Sequence, residues 1–214
     1  SGTVWVFVDE DQPVRRLAGW SADVDLAADQ GDLVANATDV VNGGVVTGSS
    51  FFHNNSWIDL KTDGAGTSFN PDWYYTFSLS ADTGYLLDLT AFEYRYSAGK
   101  NLYVVLRSDV DNYTSDLLHT FVPEGGQFGA YFQSVDLTGI PVRPSITFRL
   151  YAYDDPNQPL DGTFASENLV ITGVQKPDDT QLDFSTTVFS EAYANDGSIV
   201  TEVIVTLYGD TFDT

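Results

Sequence analysis

The chain has no cysteine and no methionine, two histidines, and only nine lysines and arginines among 214 residues. Without cysteine there are no disulfides, thiol nucleophiles or zinc–thiolate sites. His53 and His119 offer little general-base or metal-ligand chemistry, and each reads as a hydrogen-bonded structural residue. There is no Gly-x-Ser-x-Gly elbow and no His-Glu-x-x-His motif. Nine scattered cations cannot line a phosphate backbone, so nucleic acid is excluded as a partner. No apolar run approaches the ~18 residues of a membrane-spanning helix. Nor is there a signal pattern at the start, where Ser1-Gly2-Thr3 leads straight into Val4–Val8. That beginning reads as a mature or excised chain from which a signal was removed.

Acid is what the chain has in excess: 31 Asp and Glu, for a net charge of −22. A solvated acidic surface is the plain reading, and calcium coordination by some of the carboxylates is the sharper one. Asp109 and Asp111 follow a strand on one turn. Asp154, Asp155 and Asp161 bracket a Pro- and Asn-containing loop, and Asp9-Glu10-Asp11 ends the first strand. None has EF-hand spacing, and the alternative for each is a turn aspartate bonded to nearby backbone amides. Asp178, Asp179 and Asp183 form a further candidate set at a linker.

The second excess is β-forming signal, with 43% hydrophobic and 14% aromatic residues. Short alternating runs are divided by Gly, Asn, Asp and Ser clusters. Phe148, Leu150 and Ala152 share one strand face, with Arg149, Tyr151 and Tyr153 on the other. In Tyr85–Tyr96, Leu87 and Leu89 are out of phase with Phe92, Tyr94 and Tyr96. A two-residue period cannot serve both sets, so a β-bulge is predicted near Thr90-Ala91. No amphipathic helix is evident. The expected architecture is all-β: a two-sheet, jelly-roll-like sandwich with an incomplete immunoglobulin-like appendage. Residues 1–30 read as an N-terminal strand (Thr3–Val8) and acidic lead-in, 31–174 as the sandwich, and 175–180 as a linker. Residues 181–214 read as partial immunoglobulin-like strands at 182–184, 187–189 and 199–208, too few for a sandwich of their own.

The segments Tyr75-Thr76-Phe77, Gly84–Leu89, Phe92–Ser97, Leu106–Asp109, Phe148–Tyr153 and Asn168–Gly173 resemble exported bacterial jelly-roll domains. These are the PEP-CTERM-associated domains, similar in turn to carbohydrate-binding modules. Glu167 stands before Asn168 where that pattern usually has Asp. Phe184–Glu191, Asn195–Ser198 and Thr206–Phe212 resemble the opening of an immunoglobulin-like repeat of bacterial surface proteins. The resemblance implies a secreted or surface-attached module cut from a longer protein.

Three functional readings follow. The first is a non-enzymatic module in surface structure or adhesion that binds glycan, with structural calcium as a companion. Sugar rings stack their C–H faces on aromatic side chains. The candidates are Trp57, Asn70, Asp72, Trp73, Tyr74 and Tyr113, with Tyr131 and Tyr153 behind them; for each aromatic the alternative is a core position. The second is a self-assembling filament or surface-layer subunit whose terminal strands, Thr3–Val8 and Ile199–Tyr208, add to a neighbouring sheet. The third, and least favoured, is a polysaccharide-cleaving enzyme with two carboxylates. Arg95, Arg107 and Arg149 lie on strands among acids, and at least one is expected in a structural Arg–carboxylate pair.

Overall fold

Burial along Trp73–Ser80 alternates position by position: Trp73, Tyr75, Phe77 and Leu79 are buried, while Tyr74, Thr76, Ser78 and Ser80 are not. A strand with one face on a core and one outward gives this pattern. The computed structural model describes residues 12–178 except 47, 49, 55, 56, 64, 126–130 and 158–161, together with 191–193 and 199–201. Its sandwich strands are β1 (Arg15–Trp20), β2 (Val41–Gly44), β3 (Phe51–Asn54), β4 (Trp57–Lys61), β5 (Trp73–Ser80), β6 (Tyr85–Ala98), β7 (Leu102–Ser108), β8 (Leu118–Val122), β9 (Tyr131–Asp136), β10 (Ser145–Asp154) and β11 (Thr163–Pro177).

One sheet runs β3-β4-β11-β6-β9, with β1 also on β11; the other runs β2-β5-β10-β7-β8. From β4 to β11 every connection but β7–β8 changes sheet. That order is the double Greek key of a jelly roll. All pairings are antiparallel. No helix among the described residues is long and apolar enough to cross a membrane.

The two sheets meet over an aromatic column. Phe77 lies 5.1 Å from Trp20, 5.3 Å from Phe92 and 5.6 Å from Phe148, ring centre to ring centre. Tyr94 continues the column, 5.2 Å from Phe92. The Tyr75 hydroxyl meets Ser166 Oγ across the sheets at 2.8 Å, and burial pushes the Tyr75 pKa up. Both long strands reverse phase to keep facing this core. In β6 the partner of Thr172 is Ala91 and the partner of Gly173 is Leu89, which leaves Thr90 as an extra residue. Leu87 and Leu89 therefore point inward with Phe92 and Tyr94, as the two-phase pattern requires. A second bulge, which the sequence reading did not anticipate, lies in β11. There Asn168 and Leu169 together oppose Tyr94, and Asn168 is left-handed at φ 52°. Asparagine tolerates that conformation better than most residues. Beside it, Glu167 is 6% exposed and pairs with Arg95 at 2.6 Å. Arg107 and Asp116 form another such pair at 2.6 Å, so the expected structural arginines are present.

Two boundaries shift. The sandwich begins at β1 rather than at residue 31, because Leu17, Ala18 and Trp20 enter the core and β1 pairs with Leu169–Gly173. A register shift between Arg16 and Ala18 breaks the alternation that would have revealed this strand. At the other end β11 continues through Lys176 and Pro177, opposite Leu86 and Tyr85, past the expected linker start at 175. In the tail, β12 (Glu191–Tyr193) and β13 (Ile199–Thr201) form a hairpin. Strand Thr3–Val8, the turn Asp9–Asp11, the expected strands 182–184 and 187–189, and 202–208 lie outside the described residues. The strand-addition reading rests largely on these segments.

Asp59 on β4 is 6% exposed, and burial pushes its carboxyl up to about 6 against opposing effects of Asn54, His53 and Lys61. A raised carboxyl favours the folded state while protonated. Its contribution is therefore full below about pH 4 and lost as pH rises through about 6. Relative to Asp59→Asn, the parent is expected to lose about 2–3 kcal/mol between pH 4 and pH 8. Urea unfolding at both pH values checks this, and a difference that does not move with pH rejects it.

Candidate functional site

The outer face of the five-stranded sheet carries aromatic rings and two arginines in register. On β10 the outward residues are Arg149, Tyr151 and Tyr153, the alternation read from the sequence. Arg149 sits opposite Arg107 on β7 and Thr76 on β5; Tyr151 sits opposite Tyr74, and Tyr153 opposite Tyr103. Gly43 on β2 faces Tyr74, and the ring occupies the space a side chain there would fill.

Two loops cover part of this face. In the first, Phe69 lies 5.1 Å from Tyr151 and 6.3 Å from Tyr153, with the Arg107 guanidinium 4.2 Å from its ring centre. That cover explains why Tyr151 and Tyr153 are buried although they point away from the core. Asn70 shapes the turn by accepting the Asp72 amide N–H at 3.0 Å, as the Asn-Pro-Asp sequence predicts.

The second loop delivers Tyr113. A short 3-10 turn over Asp109–Asp111 leads into two successive left-handed residues, Asn112 at φ 58° and Tyr113 at φ 61°. A tyrosine in that region is strained by about 1–2 kcal/mol, so its surroundings must hold it. Asp111 does so by accepting the N–H groups of Thr114 (3.1 Å) and Ser115 (2.8 Å). Hydrogen bonds to the carboxylate, from the Ser115 side chain foremost, then the Thr114 side chain and these two amides, lower the Asp111 pKa to about 2. The Tyr113 amide donates to Ser108 O at 3.0 Å, and Arg107 Nη1 donates to Tyr113 O at 3.0 Å. The ring then lies over Arg149, whose guanidinium carbon is 3.6 Å from the Tyr113 centre and 4.4 Å from the Tyr74 centre. Tyr74, Tyr113 and Arg149 are all half-buried.

Beyond Phe69 the face continues. Tyr103 stacks on Tyr153 at 5.3 Å, and Phe121, 44% exposed, meets Tyr103 edge-on at 5.4 Å. His119 is not enclosed in an apolar strand as its neighbours imply. It lies on this face, with Nε2 2.9 Å from the Tyr153 hydroxyl and Nδ1 3.4 Å from Asp116.

Of the sequence-derived binding residues, Asn70, Asp72, Tyr74 and Tyr113 belong to this face or its loops. Trp73 does not: it is 5% exposed and its indole N–H donates to Lys61 O at 2.8 Å, which makes it a core residue. Its neighbour in sequence, Tyr74, has the outward phase. Trp57 is on β4 and Tyr131 on β9, both in the other sheet. Arg149, Arg107, Phe69, Tyr103 and Phe121 were missed as binding candidates. The outward phase of Arg149 with Tyr151 and Tyr153 was the one available signal.

The described carboxylates expected to hold calcium have protein partners, although Asp109 Oδ1 and Asp154 Oδ2 are buried without a hydrogen bond. Asp109 Oδ1 is 3.2 Å from Arg143 Nη2, and Asp111 holds its loop as described. Buried Asp154 accepts the Thr62 hydroxyl and, at 3.2 Å, the Gly162 amide. Asp155 accepts both the backbone and side-chain N–H of Asn157. Asp161 lies outside the described residues. Among those described, no three acidic or histidine side chains converge on a common point.

No family model matches the chain, and no curated protein does. Among solved structures it is similar to a carbohydrate-binding module of family 29, with TM-score 0.41, 9% identity, and coverage of 75% of this chain and 90% of that one. A mutant of such a module complexed with mannohexaose gives TM-score 0.40 and 9% identity, over 75% and 93% of the two chains. TmCBM61 in complex with beta-1,4-galactotriose gives 0.34 and 11%, over 64% and 81%. At such values the likeness adds nothing to the strand order, which by itself defines the jelly roll.

Proposed function

We propose that this chain is a non-enzymatic glycan-binding module of a secreted, cell-surface protein, and that Tyr74, Tyr113 and Arg149 form the centre of its sugar contact. One observation carries the reading: two half-buried tyrosine rings lie against one guanidinium on the outer face of the sheet, and a loop spends backbone strain to place one of them. Aromatic faces stack on the C–H face of a sugar ring, and the guanidinium and phenol groups hydrogen-bond its hydroxyls. Asp109 and Asp116, on either side of Tyr113 in the loop, are each engaged by an arginine. They are thereby occupied in structure rather than poised as an acid–base pair.

A screen of soluble glycans by calorimetry, run in calcium and in EDTA, tests the proposal. Binding of at least one glycan at millimolar concentration or below is expected. Tyr113→Ala is expected to weaken it at least about tenfold, with the melting temperature nearly unchanged, because the ring is half-exposed. Absence of binding across the screen, or a Tyr113→Ala variant that binds as the parent does, rejects the reading.

A further inference from the structure

We propose that the ligand is an acidic glycan, and that Arg149 selects a uronic-acid carboxylate; this rests on the glycan reading above. Six of the nine basic residues lie within 4.0 Å of a carboxylate: Arg15, Arg95, Lys100, Arg107, Arg143 and Lys176. Arg149 has no such partner among the described residues, although the chain carries 31 acids. Its guanidinium is held instead by the rings of Tyr113 and Tyr74 and by a hydrogen bond to the Tyr151 hydroxyl.

Stacking covers the faces of a guanidinium and leaves its in-plane N–H groups, only part of which the Tyr151 hydroxyl engages. Five donors in a planar fork match one planar acceptor best, a carboxylate bound through both oxygens. The cross-strand neighbour sharpens the case. Arg107 is directly opposite Arg149, and its own charge is answered by Asp116 and the Tyr113 carbonyl. Like charges at opposed strand positions repel, and only one of these two has an anion beside it. The net charge of −22 repels a long polyanion at a distance. At about 0.15 M salt that field is screened beyond roughly 8 Å, and the local contact decides.

The test uses the whole chain and short oligo-uronates, namely oligogalacturonate and alginate oligomers, each paired with its carboxyl-reduced neutral counterpart of the same linkage. At 0.15 M salt at least one acidic form is expected to bind about tenfold or more tighter than its reduced partner, the size of one charge-assisted contact. Arg149→Gln, shown to be folded by its melting curve, is expected to bind the two forms alike, and Arg149→Lys to restore only part of the preference. Equal binding of acidic and reduced forms by the parent overturns the assignment of Arg149 and leaves the glycan reading standing. A preference that survives in Arg149→Gln also overturns it. Failure of both forms, together with failure across the neutral screen, removes the glycan reading and this inference with it.

Discussion

Phe77→Ala is expected to destabilise the protein by about 3–5 kcal/mol, a large part of the ~5–15 kcal/mol that holds a typical domain together. Phe77 is 1% exposed and joins Trp20 from β1, Phe92 from β6 and Phe148 from β10. Its removal forfeits the transfer free energy of the ring and leaves a cavity walled by rigid aromatic side chains on both sheets, which cannot collapse to fill it. The fall in the urea midpoint at unchanged slope measures the effect. Phe121→Ala serves as the control. Phe121 is 44% exposed on the outer face, so a cost below about 1 kcal/mol is expected there. Similar costs at the two positions would mean that the aromatic column is not the core.

Gly44→Ala is expected to cost about 2–4 kcal/mol and to weaken the proposed glycan binding as well. Gly44 has φ 61°, and a Cβ placed on it would lie 2.0 Å from Asp72 O. Asp72 O is backbone and already accepts the Val45 amide at 2.8 Å, so it cannot simply turn aside. Relief requires moving the Asp72–Trp73 backbone, which feeds directly into Tyr74. Gly84→Ala separates the two causes. Gly84 also has positive φ, 81°, but a Cβ there meets nothing within 4 Å. Only the conformational cost remains, about 1 kcal/mol, with binding untouched. Equal melting temperatures for the two variants would remove the steric argument at Gly44.

The bulge in β6 and the second bulge in β11 show how far pattern reading reaches. Leu87 and Leu89 against Phe92 and Tyr94 are large apolar side chains in opposed phases, and only an extra residue reconciles them. In β11 the inward residues before the bulge are Phe164 and Ser166. A buried serine bonded to Tyr75 gives no apolar signal, so the phase change at Asn168 was silent. β1 was silent for a related reason: four consecutive buried residues, Leu17–Trp20, do not alternate.

The same distinction runs through the site. Residue order alone determined that this is an all-β chain and that it carries no thiol chemistry. It also determined that Arg149, Tyr151 and Tyr153 share one strand face, because these follow from composition and a two-residue period. It did not determine which outward aromatics stay open. Trp73 and Tyr74 are adjacent and equally promising as letters, yet one is core and the other surface, since the sign of the phase depends on which sheet lies beneath. Tyr151 and Tyr153 point outward and are still covered, because Phe69 folds over them from a loop. Arg149 meets Tyr113 only because β7 and β10 are neighbours in a jelly roll, 36 positions apart in the chain. Contacts of that separation are set by the order of strands in a sheet, and that order is a property of the folded molecule.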